Sequence, residues 1–141
     1  MAFPRFVTCL KSEPSTWSWQ DQLDAGETGT GWDGVRNYQA RNNMKLMKKG
    51  DTVFFYRSVK KPAVIGLASV ATEFYQDPTT DDTRWVVVDL TIGAKLKNEV
   101  SLAMVKADER MQQVALIRQS RLSVMPLKKE EFDAILELSE R

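Results

Sequence analysis

Three of the chain's four tryptophans, Trp17, Trp19 and Trp32, fall where the sequence reads as loop or helix start rather than strand or helix face. Trp32 sits in GTGWDGVRN, a large flat ring on glycine-flanked backbone beside Asp33. A ring held in that way can stack on a nucleobase, an interaction of roughly 1 to 3 kcal/mol per base. It can equally plug its loop onto the core, and composition leaves both readings standing. Trp19, just inside a helix, reads as a packing anchor, and Trp85, in a continuous apolar strand, as core.

Lys11, Ser12 and Glu13 end the first strand with a cation, a hydroxyl and a carboxylate before Pro14 halts the pairing. They offer donors and acceptors to the edge of a polar heterocycle, or they are ordinary strand-end polarity. Successive strand residues point to opposite faces, so the three do not easily converge on one atom. The amides of Asn42 and Asn43 repeat this hydrogen-bonding theme, with plain exposure on a helix as the alternative.

Phosphate chemistry is suggested by charge. Arg36, Arg41, Lys45, Lys48, Lys49, Arg57, Lys60 and Lys61 face a single acid, Asp51, over 26 residues, so this segment is +7 and the remainder −6 in a chain of net charge +1. Such a block is either a solvated face or a surface that follows a phosphate backbone. The chain has no histidine and one cysteine, Cys9. Histidine-based triads and His- or thiolate-bearing zinc sites are thereby excluded. Asp77, Asp81 and Asp82 read as turn chemistry in DPTTDD. No catalytic residue, metal or cofactor is expected.

These groups must be carried by elements that the patterning predicts. RFVTCLK (5–11) alternates as a strand, with Cys9 a buried small hydrophobe. Ser18 and Asp21 suggest a capping box for the helix WQDQLDA, closed by Gly26. Residues 26–34 read as a loop. Asn37 caps a helix with Ala40, Met44 and Met47 on one face, running to Gly50. TVFFYRS (52–58), AVIGLASVATEFY (63–75) and RWVVVDLTI (84–92) predict a meander, with Gly66 marking a bulge or a close backbone approach. Helical pieces over 101–106 and 109–117, a strand RLSVMPL and a final helix KKEEFDAILELSER complete the chain, the last packing through Phe132, Ile135 and Leu136. The fold class predicted is α+β, a small twisted β-barrel flanked by short helices.

At 141 residues, with 43% hydrophobic and 28% charged residues, one domain over 1–141 is expected. With no apolar run near 20 residues and a lone cysteine, the chain reads as cytoplasmic, with no membrane partner.

The strings LKSEPSTWSW (10–19), WDGVRNYQARNNM (32–44), GDTVFFYRS (50–58), KKPAVIGLA (60–68), RWVVVDL (84–90), KLK (95–97) and RLSVMPL (121–127) resemble the EVE domain family over essentially the whole chain. The resemblance implies a PUA-like fold, related to the YTH readers of methylated adenine in RNA. It implies a non-catalytic module that takes a modified base, most of all a modified cytosine in DNA, with RNA the alternative. An extruded base would stack in an aromatic pocket and be read at its edge by hydrogen bonds. By that resemblance the pocket comprises Lys11, Ser12, Glu13, Trp17, Trp19, Trp32, Asp33, Asn37, Tyr38, Asn42, Tyr56 and Ser58. The eight basic residues named above, Arg36 to Lys61, would hold the phosphates.

Two departures stand out. Where the family commonly has FYHS, this chain has Phe55, Tyr56, Arg57 and Ser58, putting a permanently charged guanidinium in place of the imidazole. The loop between Tyr75 and Arg84 is also short for the family, which points to single strands or nucleosides if that loop clasps a duplex. Two other classes compete with the reader. The wider PUA-like group contains small amidohydrolases of acylated nucleosides that use a lysine, a hydroxyl residue and a glutamate, types that Lys11, Ser12 and Glu13 supply. A small-ligand or protein-binding module would keep the pocket without the nucleic acid.

Overall fold

The computed structural model describes residues 7–12, 19–25, 30–31, 37–58, 60–119 and 122–141, without the side chains of Val7, Ser12, Thr30 and Ile92. Statements of absence below concern these residues. The strands are β1 (Val7–Ser12), β2 (Thr30–Gly31), β3 (Thr52–Arg57), β4 (Ala63–Gln76), β5 (Val86–Ser101) and β6 (Val124–Leu127). The helices are α1 (Trp19–Ala25), α2 (Tyr38–Lys45), α3 (Leu102–Ala107), α4 (Ala115–Arg118) and α5 (Lys129–Ser139), with a 3-10 turn at Glu109–Met111.

All six strands join one mixed sheet in the order β2-β5-β4-β3-β1-β6. The expected meander is present as antiparallel β3-β4-β5. β1 lies parallel to β3 and antiparallel to β6. Parallel neighbours require a crossover, and the chain between β1 and β3 supplies α1, β2 and α2. Pro126 lacks the amide hydrogen that a central ladder needs, and it lies on β6, at the sheet's edge.

The barrel is an open one. No pairing among the described residues joins β2 to β6 and closes the ring. α2 contacts β6 and β5 more than the three strands β4, β3 and β1 that lie between them. Those outer strands would be roughly 19 Å apart if the sheet were flat, so the sheet curls and α2 spans its opening. The Asn43 amide fixes one side of this bridge by donating to the Val124 carbonyl at 2.7 Å.

Leu10, Met44, Phe54, Val64, Val88, Val124 and Ile135 are fully enclosed in the core. Phe54 meets Phe132 of α5 at 5.4 Å between ring centroids, so the last helix packs on the sheet through the face its spacing predicts. Among the described residues no helix is long and apolar enough to cross a membrane.

Several boundaries differ from the sequence reading. β5 runs to Ser101 instead of ending at residue 92, because Lys95 and Lys97 face solvent while Leu96 and Val100 are buried. Thr30–Gly31, within the expected loop, pairs with Leu90 and Asp89. α2 stops at Lys45, five residues short of Gly50. Met47 stays buried through a further turn, its amide donating to the Met44 carbonyl, and Gly50 takes φ +92° to enter β3. The expected helix over 109–117 divides into the 3-10 turn and α4.

Candidate functional site

The Asn37 side chain caps α2 as predicted, its Oδ1 accepting from the Ala40 amide at 2.9 Å. That cap fixes the first helical residue, Tyr38, which is 51% exposed. Beneath it lies the buried ring of Trp85, 5.2 Å away with a 35° tilt. The Arg41 guanidinium sits 5.0 Å from the Tyr38 ring and that of Arg84 5.6 Å from the Trp85 ring. Arg84 also donates to the Tyr38 hydroxyl at 2.7 Å. Asp82 grips Arg84 through both carboxylate oxygens and raises its pKa further above the arginine range. Asn42 Oδ1 accepts from Arg41 at 3.1 and 2.8 Å, orienting that guanidinium. The result is an exposed aromatic platform edged by two fixed cations, suited to stacking a base and pairing with phosphate.

Further basic residues continue from this platform. Lys45 lies 5.6 Å from the Phe74 ring, Lys48 pairs with Glu73 at 3.6 Å, and the Lys49 amide donates to the same carboxylate. Arg57 ends β3, a six-residue strand spanning roughly 20 Å, and Lys60 and Lys61 lie beyond it. The basic block is therefore divided between the two ends of the sheet. Arg57 gives its guanidinium to Glu99, at 2.7 and 3.2 Å, and to the Lys61 carbonyl, at 2.7 and 3.0 Å.

A second group forms where β1 and β3 run side by side. Lys11 and Tyr56 are register partners, and the lysine Nζ is 5.9 Å from the tyrosine ring. Burial pushes the Tyr56 hydroxyl and the neighbouring Cys9 thiol both up to about 12, and it lowers the Lys11 ammonium. All three shifts run towards the neutral form, as expected where charge is desolvated. Ser58, just past β3, is half-buried.

Trp19 belongs to neither group. Its ring meets Phe55 edge-on at 5.3 Å and 76°. It also presses against Gly66, where an added Cβ would come within 2.4 Å of its Cη2. Strand alternation sets Phe55 on the sheet face opposite Tyr56, so Trp19 and the Lys11–Tyr56 pair are on different faces. Gly66 serves both readings offered for it, since the β3–β4 and β4–β5 registers also shift beside it.

The structure thus brings together Tyr38, Arg41 and Asn42, and separately Lys11 and Tyr56. Glu13, Trp17, Trp32, Asp33, Arg36 and the Ser12 side chain lie outside the described residues, as does Ser18 of the expected capping box. Sequence reasoning missed Arg84 and the outer role of Trp85. The only signal was an arginine beside a tryptophan at a strand start, with nothing to link it to Tyr38. The Asp77 carboxylate accepts from the amide and hydroxyl of Thr79, which is the turn chemistry expected there.

The EVE domain model matches residues 9–138. Human thymocyte nuclear protein 1 is 33% identical over 164 residues, covering 94% of this chain and 73% of that protein; the mouse protein is matched over 58% of its length. The crystal structure of the human protein in complex with 5-methylcytosine-containing DNA superposes with a TM-score of 0.90 at 32% identity, covering 96% of this chain and 98% of that one. A crystal structure of an Agrobacterium tumefaciens protein gives 0.93 at 41% identity, covering 95% and 92%. A Zymomonas mobilis ASCH protein, at 13% identity and a TM-score of 0.62, shares the fold alone. Matched along nearly all of its length by both the family model and these structures, this chain belongs to the EVE domain family.

Proposed function

We propose that this protein is a binding module for a modified base in nucleic acid, with 5-methylcytosine in DNA as its first ligand. The observation that carries this reading is the human relative in complex with 5-methylcytosine-containing DNA, which shares this scaffold over 96% of the chain. The Tyr38–Trp85 platform supports it independently, since an exposed ring with guanidiniums at its edge has the chemistry to hold a base or sugar and its phosphate. On this reading Lys11 and Tyr56 line the pocket floor. Burial that penalises charge there suits an uncharged heterocycle better than an ion.

The module is non-catalytic on this reading. Lys11 is desolvated beside the ring of its register partner, Tyr56. The reducing cytoplasm suits Cys9, a buried thiol held in its unreactive neutral form.

Fluorescence anisotropy with labelled single- and double-stranded DNA and RNA, with and without 5-methylcytosine, at two salt concentrations, tests the reading. Preference for the methylated strand that persists at the higher salt is expected. Binding indifferent to methylation and lost with salt would leave only a basic surface.

A further inference from the structure

At the opposite end of the sheet from Tyr38, the β3–β4 turn and α3 enclose a cleft of about 620 Å³. Its floor is apolar, formed by Pro62, Ala63, Leu102 and Ala103, and Lys61 and Lys106 stand at its rim. Arg57 and Glu99 also line it but neutralise each other as a bidentate pair. Both lysines are exposed, and neither forms an ion pair among the described residues. The lining therefore carries two net positive charges.

The walls are fixed in place. Lys61 holds a left-handed φ of 49°, a conformation that costs a non-glycine residue energy, and two hydrogen bonds from Arg57 to its carbonyl keep it there. The Leu102 amide ties α3 to the turn through the Pro62 carbonyl at 3.0 Å. Rigid apolar walls beneath two free ammonium groups fit a flat or sugar-like body bearing a phosphate. Arg57 is the register partner of Ser12, so the cleft opens beside the end of β1 that carries Lys11 and Ser12.

We propose that this cleft is a phosphate-binding subsite for a nucleotide unit of the strand that flanks the read base. The choice of a strand as its source rests on the modified-base reading, whereas the affinity for a nucleotide phosphate does not. Arg57 acts here as a positioning residue. It sets the Lys61 turn and silences Glu99, and it leaves the phosphate to the lysines.

The test is an amide ¹H–¹⁵N titration of the full chain with cytidine, cytidine 5′-monophosphate, inorganic phosphate and an unmodified single-stranded oligonucleotide. The monophosphate should shift the amides of Lys61, Ala63, Ala103 and Lys106, and cytidine should not. The oligonucleotide should shift the same amides at a concentration at least tenfold lower. Lys61→Gly with Lys106→Gln should raise the saturating concentration about tenfold and leave the remaining spectrum unchanged, because glycine accepts the left-handed turn. Equal potency of monophosphate and oligonucleotide would replace the strand by a free nucleotide and overturn the flanking assignment. Shifts with inorganic phosphate alone, or at none of these amides, would overturn the cleft itself. Loss of methylation preference with these shifts intact would condemn the base reading and leave the cleft standing.

Discussion

Trp19 and Tyr38 are both aromatic residues at the first position of a helix, and both belong to the pocket that the family resemblance implies. What lies under each ring separates them. Trp19 rests on Gly66, whose missing side chain lets the indole reach the backbone of β4 and pack edge-on against Phe55. Tyr38 rests on Trp85, a large ring that leaves no room to sink, so the tyrosine stays half in solvent between two arginines. The partner supplied by a remote strand decides whether an aromatic side chain becomes core or contact surface.

The strongest way to break this contrast is to fill the space under Trp19. Gly66→Ala should cost about 3 kcal/mol in chemical denaturation, since overpacking displaces either the indole or the strand. Trp19→Leu in the Gly66→Ala background should recover much of that loss. A Gly66→Ala protein of unchanged stability would show that the indole is not held where the contrast requires it.

Tyr38→Ala should do the reverse. It should weaken oligonucleotide binding about tenfold, or roughly 1.4 kcal/mol, and shift the thermal midpoint only slightly. A large drop in the midpoint with affinity intact would make Tyr38 structural like Trp19. Removing the flanking cation by Arg84→Gln should weaken binding severalfold less and make it less sensitive to salt, because one phosphate contact is lost.

The last test concerns the sheet face that Trp19 does not cover. Cys9 and Tyr56 rise in the fold from 9.0 and 10.0 to about 12. The unfolded chain therefore releases their protons first, and stability should fall progressively between pH 9 and 12. Lys11, lowered from 10.5, acts with the opposite sign: its penalty is present below its folded pKa and vanishes as the pH rises towards 10.5. Cys9→Ala with Tyr56→Phe should flatten the alkaline decline in a urea midpoint series; an unchanged decline would show that these groups are not desolvated.

By itself the sequence determined what is local. The α2 cap at Asn37, the apolar face of α5, the β3-β4-β5 meander, the special place of Gly66 and the family motifs all follow from residues within a few positions of one another. Short-range sterics, capping and alternation leave a readable trace there. Tertiary structure alone decided the rest. It placed β1 between β3 and β6, put Trp85 and Arg84 against Tyr38, and joined Arg57 to Glu99 across 42 residues. It also divided one basic block between two ends of a sheet. These outcomes depend on which distant segments pair when the sheet curls, and a contact between residues remote in sequence leaves no periodicity to read.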